Sequence, residues 1–194
     1  HEMATHERGE VAWVNASGHI DLVQTGCDLD VAVVNIGTFF PAGANSAATV
    51  SAVSRNGVLT QAAGKSISLV TATAGDIVVG ADVINNAGTT ALVSAGNVKL
   101  GDDVTTGSAA AGAVDAIARN GSITRTAGTV TAGATALAAT AGIGAANARV
   151  QTSTSNLQLG GLSVNGAAVA NGGGDFIANV GGVAVNVAGV NTNG

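Results

Sequence analysis

The sequence predicts an all-β fold, a right-handed parallel β-helix (β-solenoid) of short strands with roughly 20 residues per coil. Three observations carry that expectation. Short alternating runs recur along the chain, such as Asn97-Val98-Lys99-Leu100, Asn156-Leu157-Gln158-Leu159 and Val183-Ala184-Val185-Asn186-Val187. Apolar/polar alternation marks strands with one face buried. Gly, Asn, Asp, Ser and Thr flank these runs in place of helix caps, which limits each strand to a few residues. Finally, Ala52-Val53-Ser54-Arg55-Asn56-Gly57-Val58-Leu59-Thr60 is nearly copied by Ala116-Ile117-Ala118-Arg119-Asn120-Gly121-Ser122-Ile123-Thr124, 64 residues later. That offset would hold about three coils, with Leu59 and Ile123 inward and Arg55 and Arg119 at one corner.

Composition agrees with a thin, layered interior. Aromatic residues make up 2% of the chain, there is no Tyr, and 29 of the 194 residues are Gly. A globular core draws much of its burial from large rings, whereas Ala, Val, Leu and Ile suit closely spaced strands. Mean hydropathy of +0.42 with 10% charged residues excludes a solvated, disordered chain.

Residues 1–20 read as a polar N-terminal segment or cap, and 21–194 as one continuous solenoid rod. The start, His1 to Arg8, lacks the apolar centre of a signal peptide, as expected of a mature fragment or an interior piece. Alternation begins in Ile20-Asp21-Leu22 and Asp30-Val31-Ala32-Val33, and Phe39-Phe40-Pro41 marks a corner. The strands expected next are 58–59, 66–70, 76–79, 91–94 and 98–100. They continue at 122–125, 129–131, 148–151, 156–159, 162–164, 176–180 and 183–187. Nine or ten coils at about 4.8 Å would make a rod on the order of 45 Å long. Asn-Gly at 56–57, 120–121 and 165–166 supplies tight turns, and Asn-Gly also suits type I′ hairpins, so an antiparallel arrangement competes. The Ala-rich stretch 131–148 is interrupted by Gly133, Gly142 and Gly144 and carries Thr131, Thr135 and Thr140, which favours strands over a helix. Asn at strand ends (Asn85, Asn86, Asn97, Asn120, Asn147, Asn156, Asn165, Asn171) is expected to take left-handed geometry, to bond local backbone or to stack in ladders.

The run Asn120-Gly121-Ser122-Ile123-Thr124, followed by Ala127-Gly128-Thr129-Val130-Thr131-Ala132-Gly133 and Gly142-Ile143-Gly144, resembles the repeat idiom of filamentous-haemagglutinin-like bacterial exoproteins. Val150-Gln151-Thr152, Gly172-Gly173-Gly174-Asp175-Phe176-Ile177 and Gly181-Gly182-Val183 extend the likeness, which covers about residues 52–190. The resemblance implies a right-handed parallel β-helix serving as a surface stalk or adhesin exported through the outer membrane.

Chemical motifs fare poorly against plainer readings. His1-Glu2-Met3-Ala4-Thr5-His6 narrowly misses the zinc motif H-E-x-x-H, but its histidines are five apart, about 140° around a helix. His19 beside Asp21 has no nucleophilic partner. Gly161-Leu162-Ser163-Val164-Asn165 lacks the second Gly of a nucleophile elbow, and Gly142-Ile143-Gly144 the third Gly of a dinucleotide fingerprint. Gly172-Gly173-Gly174-Asp175 resembles half of one calcium-binding nonapeptide, with the Asp one residue early; such sites need stacked copies. Asp102-Asp103 and Asp28/Asp30 read as isolated acidic pairs in solvated turns. Cys27, the single Cys, reads as a small buried hydrophobe. No catalytic, cofactor-binding or metal-ligating residue is therefore assigned, no cofactor is expected, and the fold should not depend on a metal.

Net charge is −5 and no basic run exists, which leaves no nucleic-acid footprint. No stretch reaches the length of a spanning helix. The expectation is a non-catalytic structural or adhesive stalk at the bacterial cell surface or outside the cell. Its partners would be a host or neighbouring-cell surface, or other copies of itself end to end. A self-assembling extracellular filament subunit is the alternative. A polysaccharide-processing β-helix enzyme is a further one, needing acids gathered on one face and aromatic platforms that the composition barely supplies.

Overall fold

A computed structural model of the chain describes residues 10–11, 20–24, 29–31, 34–36, 53–55, 58–59, 66–71, 73–188 and 192–193. They form a parallel β-solenoid with three stacked sheets. The wide sheet has seven strands: Ile20–Gln24, Ser66–Thr71, Thr89–Ser94, Ala113–Ala118, Ala134–Ala139, Asn156–Leu159 and Asn186–Ala188. A second sheet stacks Glu10–Val11, Leu29–Val31, Ile77–Val79, Val98–Leu100 and Ile123–Arg125. The third stacks Val34–Ile36, Val83–Asn85, Val104–Thr106, Val130–Thr131, Val150–Ser153 and Ile177–Asn179. Every neighbouring pair in these sheets is parallel.

Residues 66, 89, 113, 134 and 156 stack on one another, so successive coils take 23, 24, 21 and 22 residues. The solenoid has about five coils of roughly 23 residues, fewer and longer than the sequence spacing predicts. Extra residues sit at the corners: Ser108 to Ala111 and Ala145 to Ala148 each close a small antiparallel turn between strands.

Inside, side chains stack in columns. In the wide sheet Leu69, Leu92, Ala116, Leu137 and Leu159 lie in register and are buried. In the second sheet Ile77, Val98, Ile123 and Ile143 form another column, all fully buried. Val83, Val104 and Val130 line the third. Small and β-branched residues dominate because the space between three sheets is narrow, and their stiff rotamers fit a pleated surface at little entropic cost. At roughly 25 cal/mol per Å2 of apolar surface removed from water, these columns drive folding, and the inter-coil backbone bonds keep polar groups satisfied.

The duplicated segment does not occupy equivalent coils. Ala113–Ala118 and Ile123–Arg125 are rungs of the wide and second sheets, and Ile123 is fully buried as expected. Val53–Arg55 and Val58–Leu59 instead form an antiparallel hairpin outside the solenoid. Arg55 is opposite Leu162, whereas Arg119 lies in the turn just after the wide-sheet strand Ala113–Ala118 and its Nη2 donates to the Thr71 carbonyl two coils away, at 3.0 Å. Similar sequence thus supports two geometries, because each short strand takes its partner from tertiary context.

The hairpin joins a second one, Leu162–Val164 and Ala167–Val169, in a four-stranded antiparallel sheet. Leu162, Val164 and Val169 pack on Val93, Ile117, Ala136 and Ala138, which point outward from the wide sheet, with Val70 at the margin. The middle strands of the wide sheet, Thr89–Ser94, Ala113–Ala118 and Ala134–Ala139, are therefore buried on both faces. The antiparallel geometry that Asn-Gly allowed does occur, in this cover.

Candidate functional site

Corners, where turns bring polar side chains of successive coils together, are the chemically richest part of the molecule. At the turn from the wide to the second sheet, Asp76, Asn97 and Ser122 hold equivalent places. Asp76 Oδ1 accepts from the Asn97 backbone N–H at 2.7 Å and from Asn97 Nδ2 at 3.0 Å, and Asn97 Oδ1 accepts from the Ser122 N–H at 2.9 Å. Gly96 and Gly121 make room for this ladder, since a methyl on either would run into the Asp76 or Asn97 side chain. Lys99 Nζ lies 2.7 Å from Asp76 Oδ2. Partial burial works against the Asp76 carboxylate, but Lys99 and the Asn97 donors outweigh it and hold its pKa below the usual carboxylate range.

At the next corner, Asp82, Asp102 and Asp103 bring carboxylate oxygens within 4.8 Å of one another. Asp102 Oδ1 accepts from the Asp103 N–H, and Asp103 Oδ1 from the Thr129 N–H in the following coil. Asp102 sits where Asp82 can reach it by a carboxyl–carboxylate hydrogen bond; that bond first, then desolvation and the charges of Asp102 and Asp103, push the Asp82 pKa up. Asp82 and Asp103 are exposed. This is the only group of three such ligands among the described residues. Asp102-Asp103 is therefore not an isolated pair. The signal available in the sequence was the spacing of about one coil from Asp82 to Asp102.

Other residues singled out by sequence fall in plain structural places. Ser163 is mid-strand in the outer hairpin, opposite Ser54 and Ala168, and not on a strand-to-helix elbow. Gly142-Ile143-Gly144 is a turn around the buried Ile143 rung. Asp175 stacks on Ile143 in the same column, and its Oδ2 accepts from Asn171 Nδ2 at 2.9 Å. His1, His6, His19, Cys27 and Asp28 lie outside the described residues, and of Asp21 and Asp30 only the strand placement is described.

The asparagines act mainly between coils. Asn120 Nδ2 donates to the Ala95 carbonyl at 3.0 Å and Asn156 Nδ2 to the Gly133 carbonyl at 3.4 Å, each one coil away. Asn85 Nδ2 donates to the Thr89 carbonyl within its own turn. Only Asn165, with φ 50°, takes the left-handed conformation among described non-glycine residues. Sequence reading missed Asn179, whose Oδ1 accepts from Thr152 Oγ1 and the Thr154 N–H and whose Nδ2 donates to Thr154 and Val183 carbonyls.

No family model matches the chain, and no curated protein or solved structure is significantly similar to it. Among the described residues no helix is long and apolar enough to cross a membrane.

Proposed function

We propose that this chain is the non-catalytic stalk of a bacterial surface or secreted filamentous adhesin. The observation that carries the reading is the continuous parallel stacking from Ser66 to Ala188, in which coil after coil repeats one cross-section. Such a solenoid holds surface features at a distance, with each coil contacting only its neighbours. The repeat idiom of filamentous-haemagglutinin-like exoproteins supports the same reading. Adhesion would act on a host or neighbouring-cell surface through the outward polar positions of the second and third sheets. Antibodies against the purified chain should label intact producing cells or their medium. Labelling only after permeabilisation would overturn the surface assignment.

One observation favours a second reading. The Asp82, Asp102 and Asp103 corner gathers acids on one part of the surface, which a polysaccharide-processing β-helix enzyme would require. Incubating the chain with acidic and neutral polysaccharides, with and without calcium, separates the two. Release of reducing or unsaturated ends, lost in Asp102→Asn, would replace the stalk by the enzyme.

A further inference from the structure

We infer that Asn165 is a site of spontaneous deamidation, and that the product loosens the hairpin covering the wide sheet. The reaction needs the backbone nitrogen of the following residue to reach the Asn side-chain carbon. Glycine in that following place leaves the nitrogen least shielded. Three Asn-Gly pairs lie among the described residues, at 120–121, 165–166 and 171–172, and the fold treats them differently.

Asn171 is fully buried, with its Oδ1 accepting from the Ala139 N–H at 2.9 Å and its Nδ2 donating to Asp175. Asn120 is tied to the Ala95 carbonyl, and its neighbour Gly121 is buried against Asn97. Neither amide can reach the next nitrogen without breaking a hydrogen bond between coils. Asn165 and Gly166 instead occupy the exposed tip of the outer hairpin, with φ of 50° and 79°. Both angles belong to a two-residue type I′ turn, closed by the Val164 and Ala167 pair. Its central N–H groups lie outside the ladder, and a Cβ at Gly166 would meet nothing within 4 Å. Among the described residues none holds the Asn165 side chain by a hydrogen bond.

The step balances with water alone. The Gly166 nitrogen gives up its proton and bonds to Asn165 Cγ, expelling the side-chain nitrogen as ammonia and closing a succinimide. Water then opens the ring at one carbonyl or the other, leaving aspartate or isoaspartate. Either product adds a negative charge. Isoaspartate also adds a methylene to the main chain, and a two-residue turn has no slack for it. The pairing of Leu162 with Val169 should weaken, uncovering Val93, Ile117 and Ala138.

The test is peptide mapping by mass spectrometry, with isoaspartate labelled by a methyltransferase, after incubation of the folded chain at mildly alkaline pH. Conversion at Asn165 should outpace Asn120 and Asn171 by on the order of tenfold or more, because those two react only after local opening. The difference should vanish in urea. Asn165→Gly, which keeps a type I′ turn, should show no acidic species from this peptide. Hydrogen exchange across 162–169 should accelerate as isoaspartate accumulates. Equal rates at the three sites in the folded chain would overturn the assignment. So would an Asn165 amide that survives folded but converts in urea. Conversion with unchanged exchange would overturn the loosening of the hairpin.

Discussion

Val98–Leu100 and Ala113–Ala118 are rungs of the same solenoid, yet they meet opposite environments. In Val98–Leu100 the outer residue, Lys99, is 49% exposed at its side chain, and both flanking residues are buried. In Ala113–Ala118 five consecutive residues are buried, because the inner face packs in the core and the outer face lies under the hairpin of Leu162–Val164 and Ala167–Val169. The first strand alternates and the second does not. A solenoid sheet therefore writes its period into the sequence only where one face meets water. Where a second layer covers it, the strand becomes a continuous run of small residues.

That difference explains what was legible. Strands with a wet face, such as 98–100 and 123–125, are expected from alternation within a residue or two, and so is 156–159, although its polar Gln158 is buried. Alternation does not bound Ala113–Ala118 or Ala134–Ala139, because Val114-Asp115-Ala116-Ile117 and Leu137-Ala138-Ala139 carry none, although the strand character expected of 131–148 is found in Ala134–Ala139. Val83–Asn85 and Val104–Thr106 escape because Val83-Ile84 sets two apolar residues side by side and Thr105-Thr106 two polar ones, so neither strand alternates as Val98-Lys99-Leu100 does. The cover is partly visible in Asn165-Gly166, a dipeptide that suits a type I′ hairpin as well as a solenoid turn. The acidic corner was within reach, since Asp82 precedes Asp102 by 20 residues, the coil length the sequence predicts, but one acid a coil ahead of a pair has no alternation to mark it.

The largest effect should come from the inner side. Ile123→Asp places an unpaired carboxylate in a column of Ile77, Val98 and Ile143, at a cost of about 4 kcal/mol or more. Thr124→Asp, one residue along on the exposed side, should stay within about 0.5 kcal/mol. Urea titration followed by far-ultraviolet circular dichroism measures both. Similar losses for the two variants would mean that the column does not face inward.

The outer layer should fail more locally. Ile117→Ala empties a fully buried site beneath the hairpin of Leu162–Val164 and Ala167–Val169 and should cost about 2–3 kcal/mol, towards the low end for such truncations because the cover can settle. Hydrogen exchange should speed up in 162–169 before it does in Val98–Leu100. Uniform acceleration across both would show that the solenoid and its cover open as one unit.

Smaller again is the tie between coils at Asp76. Lys99→Ala should cost about 0.5 kcal/mol at neutral pH, as exposed pairs do. Because Asp76 has a lowered pKa in the fold, its contribution is present above the ordinary carboxylate value and is lost as pH falls through the lowered one. The wild-type and Lys99→Ala stabilities should converge in that acid range. A gap that persists in acid would assign the effect to packing of the Lys99 stem.

The acidic corner should respond with the opposite sign and the least amplitude. Asp82 has a raised pKa, so the protonated form is favoured in the fold. Its contribution is fully present below the ordinary carboxylate value and is lost as pH rises through the raised one. At neutral pH the three carboxylates repel across exposed surface, and Asp82→Asn should make the chain slightly more stable. The gain should shrink in acid, where wild-type Asp82 carries its own proton, and also in high salt, which screens charges this exposed. Thermal melting at two pH values and two salt concentrations reads all of these terms. Calcium supplies the contrast: a cation held by the corner would stabilise the wild type and not the variant. The Asp82→Asn gain would then turn into a loss on adding calcium. A gain that ignores pH, salt and calcium alike would show that carboxylate repulsion does not operate at this corner.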